Sequence, residues 1–204
     1  FGVIGAKGRV TALRIADGYA RSGGNAAGLL AGKCQGTIDN CEVSGTVEAY
    51  FAGGVVGSLE GGVLKTCLST ARPYCGGGGN AGGLYAEGTP KELKACVVLS
   101  PEIYGLGGSY ALGPGAAEKA EKCIAWDNIG ERSNRPVQFD GAVKKSIDEL
   151  TDLKTWEGLK SLGDRAFLNA DRWTYGQGLL PSLTGEAQPL PGYMVGGLSG
   201  AFIP

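Results

Sequence analysis

Cysteines at positions 41, 67, 96 and 123 each close a short segment of the same form. Thirteen residues ahead of them stand Gly28, Gly54, Gly83 and Tyr110, the heads of those segments, and successive cysteines lie 26, 29 and 27 residues apart. Self-similarity at a period of about 20–50 residues marks units that cannot bury an apolar face alone and must stack on their neighbours. A degenerate fifth unit opens the chain. There Gly2-Val3-Ile4-Gly5 repeats Gly54-Val55-Val56-Gly57, and Val10-x-x-Leu13-x-Ile15 repeats Ile38-x-x-Cys41-x-Val43, with Leu13 in the cysteine's place. With no signal peptide, start methionine or membrane-spanning apolar run visible, the chain is expected to be a piece of a larger parent polypeptide.

Within each unit the apolar residues alternate and are bracketed by Gly, Asn, Asp or Ser, which are strand and turn signals. Glycine interrupts every stretch before a helical repeat could form. The expected fold is mainly β: a right-handed β-solenoid (β-helix-like) of about five irregular coils over 1–130, followed by a small C-terminal α/β cap over 131–190. Stacking at about 4.8 Å per coil puts equivalent residues in ladders. Leu13, Cys41, Cys67, Cys96 and Cys123 form one interior ladder, and Val10, Ile38, Leu64, Leu93 and Ala120 a second. Small residues at Ala27, Gly53 and Gly82, just before the heads, would let the coil turn sharply. The competing architecture is a sandwich or barrel of hairpins, which needs no unit-to-unit identity at a fixed offset.

The chain has 38 glycines and 9 prolines, yet 43% hydrophobic content and a net charge of −1 leave neither condition for disorder met. The basic residues are scattered, and the longest run is Lys144-Lys145, so nucleic acid is not an expected partner. Histidine is absent, which removes the commonest general base and the commonest ligand of catalytic zinc. No C-x-x-C pair offers a zinc knuckle. The ladder cysteines read as small buried hydrophobes, because side chains on neighbouring parallel strands fit poorly with a disulfide's roughly 90° torsion. Cys34 and Cys75 lie off the ladder in loop-like sequence, the place to look for a disulfide if one exists.

The segments Ala27-Gly28-Leu29-Leu30-Ala31-Gly32…Gly36-Thr37-Ile38-Asp39-Asn40-Cys41 and Gly53-Gly54-Val55-Val56-Gly57…Gly61-Gly62-Val63-Leu64-Lys65-Thr66-Cys67 resemble the GLUG repeat, whose pattern is G-G-L-V-G and then G-x-I-x-N-C. Gly82-Gly83-Leu84-Tyr85 resembles the same head. The resemblance covers residues 1 to about 130. It implies a solenoid-like β fold in a secreted or surface-anchored bacterial protein of adhesin or hemagglutinin type, and it brings no catalytic residues.

After Asn128 the pattern changes. Ser146-Ile147-Asp148-Glu149 has the form of a helix capping box, and Leu150, Leu153, Trp156 and Leu159 follow at helical spacing, with Lys160 and Gly163 as its end. Arg172–Leu183 reads as an aromatic strand, a glycine turn and an apolar strand. A cap is expected here because open sheet edges recruit other chains. Residues 191–204, rich in Pro and Gly, read as a tail or linker, although Tyr193, Met194, Val195, Leu198 and Phe202 could add a terminal strand.

Ala27-Gly28-Leu29-Leu30-Ala31-Gly32-Lys33-Cys34 misses the phosphate-binding loop at its first glycine and its closing hydroxyl, so no nucleotide is expected. Glycosidase chemistry needs two acids facing one cleft. Asp39, Glu42, Glu60, Glu92, Glu102, Asp127 and Glu131 supply acids, but no pair recurs beside a basic cluster that would neutralise an acidic sugar. Binding needs only a shaped surface with aromatic platforms. Tyr50, Tyr74, Tyr85, Tyr104, Tyr110 and Trp126 lie in or beside the repeats, and Tyr104 and Tyr110 are the candidate contacts for a glycan or a host or matrix protein. The expected role is an extracellular or cell-surface bacterial scaffold or stalk of adhesin type that binds a host or matrix ligand or spaces another domain, with no catalytic residue, cofactor or metal. The alternative is a carbohydrate-active β-helix enzyme, a polysaccharide lyase or glycosidase.

Overall fold

A computed structural model of the chain describes residues 1–130, 136–159, 172–183 and 186–195. The chain winds into a β-solenoid of about five turns whose strands pair in parallel from coil to coil. The first four coils cross four sheets in turn, and the later chain adds strands to only some of them. Sheet I stacks Val3–Ile4, Ala31–Cys34, Val56–Leu59 and Tyr85–Glu87. Sheet II stacks Arg9–Thr11, Thr37–Asp39, Val63–Lys65, Glu92–Lys94 and Ala120–Glu121. Sheet III begins with Arg14–Arg21 and Glu42–Glu48. It continues with the split strands Leu68–Ser69 plus Arg72–Cys75 and Val97–Val98 plus Tyr104–Gly105, and ends with Cys123–Trp126 and Ala142–Lys145. Sheet IV stacks Ala26–Gly28, Phe51–Gly53, Asn80–Gly82 and Gly108–Tyr110.

Register defines the interior. On sheet II, Val10, Ile38, Leu64, Leu93 and Ala120 are in register through all coils. The next corner places Leu13 beside Cys41, because Thr11 pairs with Asp39 and Arg14 with Glu42. Cys41, Cys67, Cys96 and Cys123 are buried, while Leu13, on the end coil, is half-buried and packs against the core. One residue ahead of that ladder the backbone is left-handed in every coil, at Ala12, Asn40, Thr66, Ala95 and Lys122 with φ of 48 to 56°. Each ladder thiol then donates to the carbonyl two residues back: Cys41 to Asp39 at 3.5 Å, Cys67 to Lys65 at 3.2 Å, Cys96 to Lys94 at 3.6 Å and Cys123 to Glu121 at 3.8 Å. Cysteine therefore fills a small buried volume and also closes the corner with a weak hydrogen bond.

Several expectations need correction. Gly28 stands in register with Gly53, Gly53 with Gly82 and Gly82 with Tyr110, so the second and third heads are Gly53 and Gly82 rather than Gly54 and Gly83. The cysteine anchor misplaces them because the turn between sheets I and II is one residue longer in those coils. The residues before the heads are accordingly Ala27, Ala52 and Ala81. At Gly53 a Cβ would run into the carbonyl oxygen of Val56, and at Gly82 into that of Tyr85, so this corner is closed by backbone contact. In the opening unit Val3 pairs with Lys33, which makes Gly2 the counterpart of Gly32 and Gly57, not of a head. Cys34 and Cys75 are free, buried and on different sheets, and the Cys75 thiol donates to the Tyr50 carbonyl at 2.9 Å.

Beyond the coils, Ala142–Lys145 adds a strand to sheet III and leads into two short helices, α1 (Ile147–Thr151) and α2 (Leu153–Glu157). The Ser146/Glu149 capping box is formed. The single expected helix is split at Asp152, which has φ −81° and ψ 121°, ends α1, and caps α2 by accepting from the Lys154 N–H. Lys160 and Gly163, its expected end, lie outside the described residues. Trp173–Thr174 and Ser182–Leu183 form the expected antiparallel pair, but it lies back along the solenoid's side as a strap. Trp173 Nε1 donates to Asn40 Oδ1 at 2.9 Å, and the Leu183 N–H donates to buried Glu42 at 2.6 Å. The 191–204 stretch is not a free linker in its described part. Gly192–Val195 forms α3, with Met194 buried and the Tyr193 hydroxyl donating to the Leu99 carbonyl. Apolar side chains with a core to meet override the Pro/Gly composition around them.

Candidate ligand-binding groove

Strand alternation in the second half of sheet III builds a groove from three coils. Val47, Pro73 and Ile103 turn inward and are buried. Their neighbours turn outward by the period-two rule: Thr46 and Glu48, Arg72 and Tyr74, Glu102 and Tyr104. These six, with Pro73, line a groove of about 220 Å³. Two ladders run through it. Arg21, Glu48, Tyr74 and Tyr104 are in register along one, and Tyr19, Thr46 and Arg72 along the other. The Tyr74 and Tyr104 rings stack at 4.9 Å with planes 15° apart, matching the coil spacing of about 4.8 Å and making a stiff aromatic wall.

Glu48 is held in place by its neighbours. Its carboxylate accepts from the Tyr19 hydroxyl at 3.0 Å and lies 3.7 Å from Arg21 Nε. The same hydrogen bond raises the Tyr19 phenol above its ordinary value. Helix α3 stands nearby: Arg72 lies close enough to Tyr193 for its positive charge to oppose the burial that pushes that phenol up.

Tyr104 and Tyr110 are not brought together. Tyr104 lines the groove on sheet III, whereas Tyr110 is on sheet IV, in register with Gly82, its ring close over Gly108. Of the other aromatics, Tyr74 joins Tyr104, Tyr50 is exposed outside the lining, and Trp126 is buried. Tyr85 is buried with its hydroxyl donating to the Pro114 carbonyl at 2.7 Å. Among the acids, Asp39, Glu42 and Glu92 are ion-paired across coils, Glu102 lines the groove, and Glu131 lies outside the described residues. Glu48 and Glu102 do share one lining, with a single base, Arg72, rather than a basic cluster.

Sequence reasoning passed over Tyr19, Glu48 and Arg72. The signal was the alternation in Thr46-Val47-Glu48, Arg72-Pro73-Tyr74 and Glu102-Ile103-Tyr104. It was hidden because the offset from the ladder cysteine is five residues in the first two triplets and six in the third. Among the described residues no cluster of His, Cys, Asp or Glu is arranged to hold a metal ion, and no helix is long and apolar enough to cross a membrane. Comparison with protein-family models, with curated proteins and with solved structures finds no match to this chain.

Proposed function

We propose that the chain is part of an extracellular bacterial surface protein of adhesin type, a rigid solenoid that presents a glycan-binding groove on sheet III. The observation that carries this reading is the stacked Tyr74–Tyr104 pair set beside Thr46, Glu48, Arg72 and Glu102. An aromatic wall packs against the apolar face of a sugar, and hydroxyl, carboxylate and guanidinium groups take its hydroxyls. The GLUG-like segments support the surface assignment. The test is a glycan and matrix-protein array probed with the wild-type chain and with Tyr74→Ala and Tyr104→Ala, with folding checked by circular dichroism. Glycan binding lost in both variants supports the reading; binding to matrix proteins alone, or silence, sinks it.

Glu48 and Glu102 in one lining favour a second reading, a carbohydrate-active enzyme, since paired carboxylates are what glycoside cleavage uses. Release of new reducing ends from a bound glycan, abolished in Glu102→Gln, would establish it. Intact glycan after prolonged incubation would leave the binding role.

A further inference from the structure

Five basic residues of this solenoid pair with a carboxylate of the next coil. Arg9 meets Asp39 at 2.8 Å, Arg14 meets Glu42 at 3.2 Å, Arg21 meets Glu48 at 3.7 Å, Lys65 meets Glu92 at 3.2 Å and Lys94 meets Glu121 at 3.4 Å. Among the described residues Lys7, Lys33, Lys91 and Lys119 are in no such pair, and of the arginines in the coils Arg72 alone is outside one. It is exposed in the groove, its strand neighbour in the preceding coil is Thr46, and among the described residues no carboxylate comes within ion-pair distance of it. The two acids of the lining do not take it. Glu48 is occupied by Arg21 and Tyr19, and Glu102 has a partner of its own.

We infer that the groove is selective for glycans whose sugars carry a carboxylate, with Arg72 as the anion-binding residue; this rests on the glycan-binding reading above. A guanidinium offers a planar fork of donors that matches a carboxylate with two parallel hydrogen bonds. Beside it, the tyrosine wall takes the ring and Thr46 and Glu48 take hydroxyls. A neutral sugar in the same place would cover the Arg72 cation without giving it a counter-charge, which costs affinity. A phosphate polymer is a poor fit, because one unpaired cation flanked by two carboxylates cannot neutralise a run of phosphates. The groove is also small against the 300–1,000 Å³ or so of pockets that enclose a whole ligand. It suits one acidic ring of a chain whose remainder lies along the sheet.

The experiment is a titration of the wild-type chain, Arg72→Gln, Arg72→Lys and Tyr74→Ala against a panel of uronate-containing and sialylated glycans. Each is presented with its carboxyl-reduced counterpart, and an acidic peptide is included. The expected result is binding to at least one acidic glycan that falls tenfold or more on carboxyl reduction. It should fall by a similar factor in Arg72→Gln, with part restored in Arg72→Lys, and weaken as salt is added. Equal binding of acidic and reduced forms, lost in Tyr74→Ala, overturns the anionic preference and leaves the groove reading standing. Glycan binding indifferent to both Arg72→Gln and Tyr74→Ala overturns both. Binding of the acidic peptide alone, or of nothing in the panel, likewise overturns both. Because Arg72 is exposed and in no ion pair among the described residues, its variants should melt within a degree or two of wild type, so loss of binding reports on the groove.

Discussion

Thr66 sits at φ 48°, a region that a β-branched residue enters only when its surroundings force it. The same corner is held by Ala12, Ala95 and Lys122, and only Asn40 is a type that favours it. Strain of this kind costs about 1–2 kcal/mol per residue. Thr66→Asn should therefore raise stability by about 0.5–1 kcal/mol, read as a higher urea midpoint; an unchanged or lower midpoint would show that the corner is relaxed. The adjoining thiols behave as buried hydrophobes. Contact with neighbouring ladder thiols and burial push Cys67 and Cys123 well above the usual thiol range, so both stay protonated. Cys67→Ala should cost about 1–2 kcal/mol, from the lost sulfur and the void it leaves. The cysteines were legible as a ladder because they repeat in the sequence. The left-handed residues before them were not, because alanine, asparagine, threonine and lysine there share only a backbone conformation.

Between elements, one buried carboxylate holds the second strand of the strap. Glu42 pairs with Arg14 at 3.2 Å and accepts from the Leu183 N–H at 2.6 Å and the Ser182 hydroxyl at 3.3 Å. Glu42→Ala leaves a guanidinium and a buried N–H without their partner, at a cost of about 3 kcal/mol or more. Hydrogen exchange should then rise at 182–183 before it rises in the coils; protection unchanged at those positions would refute the attachment. Tyr193 ties the far end of the chain to Leu99, and burial raises its phenol above the ordinary value of 10.0. A raised folded-state value means the unfolded chain releases this proton first. The stability it contributes is intact below about pH 10 and declines as pH rises from there toward the folded value. Tyr193→Phe should flatten the alkaline limb of a pH–stability curve, and a limb of unchanged slope would assign the loss to other groups. None of this docking was readable in the sequence, where Arg172–Leu183 reads as a hairpin of an end cap and 191–204 as a Pro/Gly-rich tail or linker. Its partners, Asn40, Glu42 and Leu99, lie roughly 90 to 140 residues away.

At the scale of the whole molecule, each coil rests on its neighbours, and function is a property of adjacent coils. The repeat disclosed the solenoid, since interior ladders demand the same residue class at the same place in every turn. It disclosed the groove poorly for the converse reason. Thr46/Glu48, Arg72/Tyr74 and Glu102/Tyr104 differ from coil to coil, and a one-residue change in offset moves the third triplet out of alignment with the others. Tyr74 and Tyr104 were both visible as aromatics in or beside the repeats; their stacking and the place of Arg72 beside them emerge only when the coils are stacked. The most direct measurement is a binding titration of one array-identified glycan against Tyr104→Ala and Tyr110→Ala, separately. The groove predicts at least a tenfold loss for Tyr104→Ala, about 1.4 kcal/mol, with affinity retained in Tyr110→Ala. Loss in Tyr110→Ala with Tyr104→Ala unaffected would place binding on sheet IV and contradict the account.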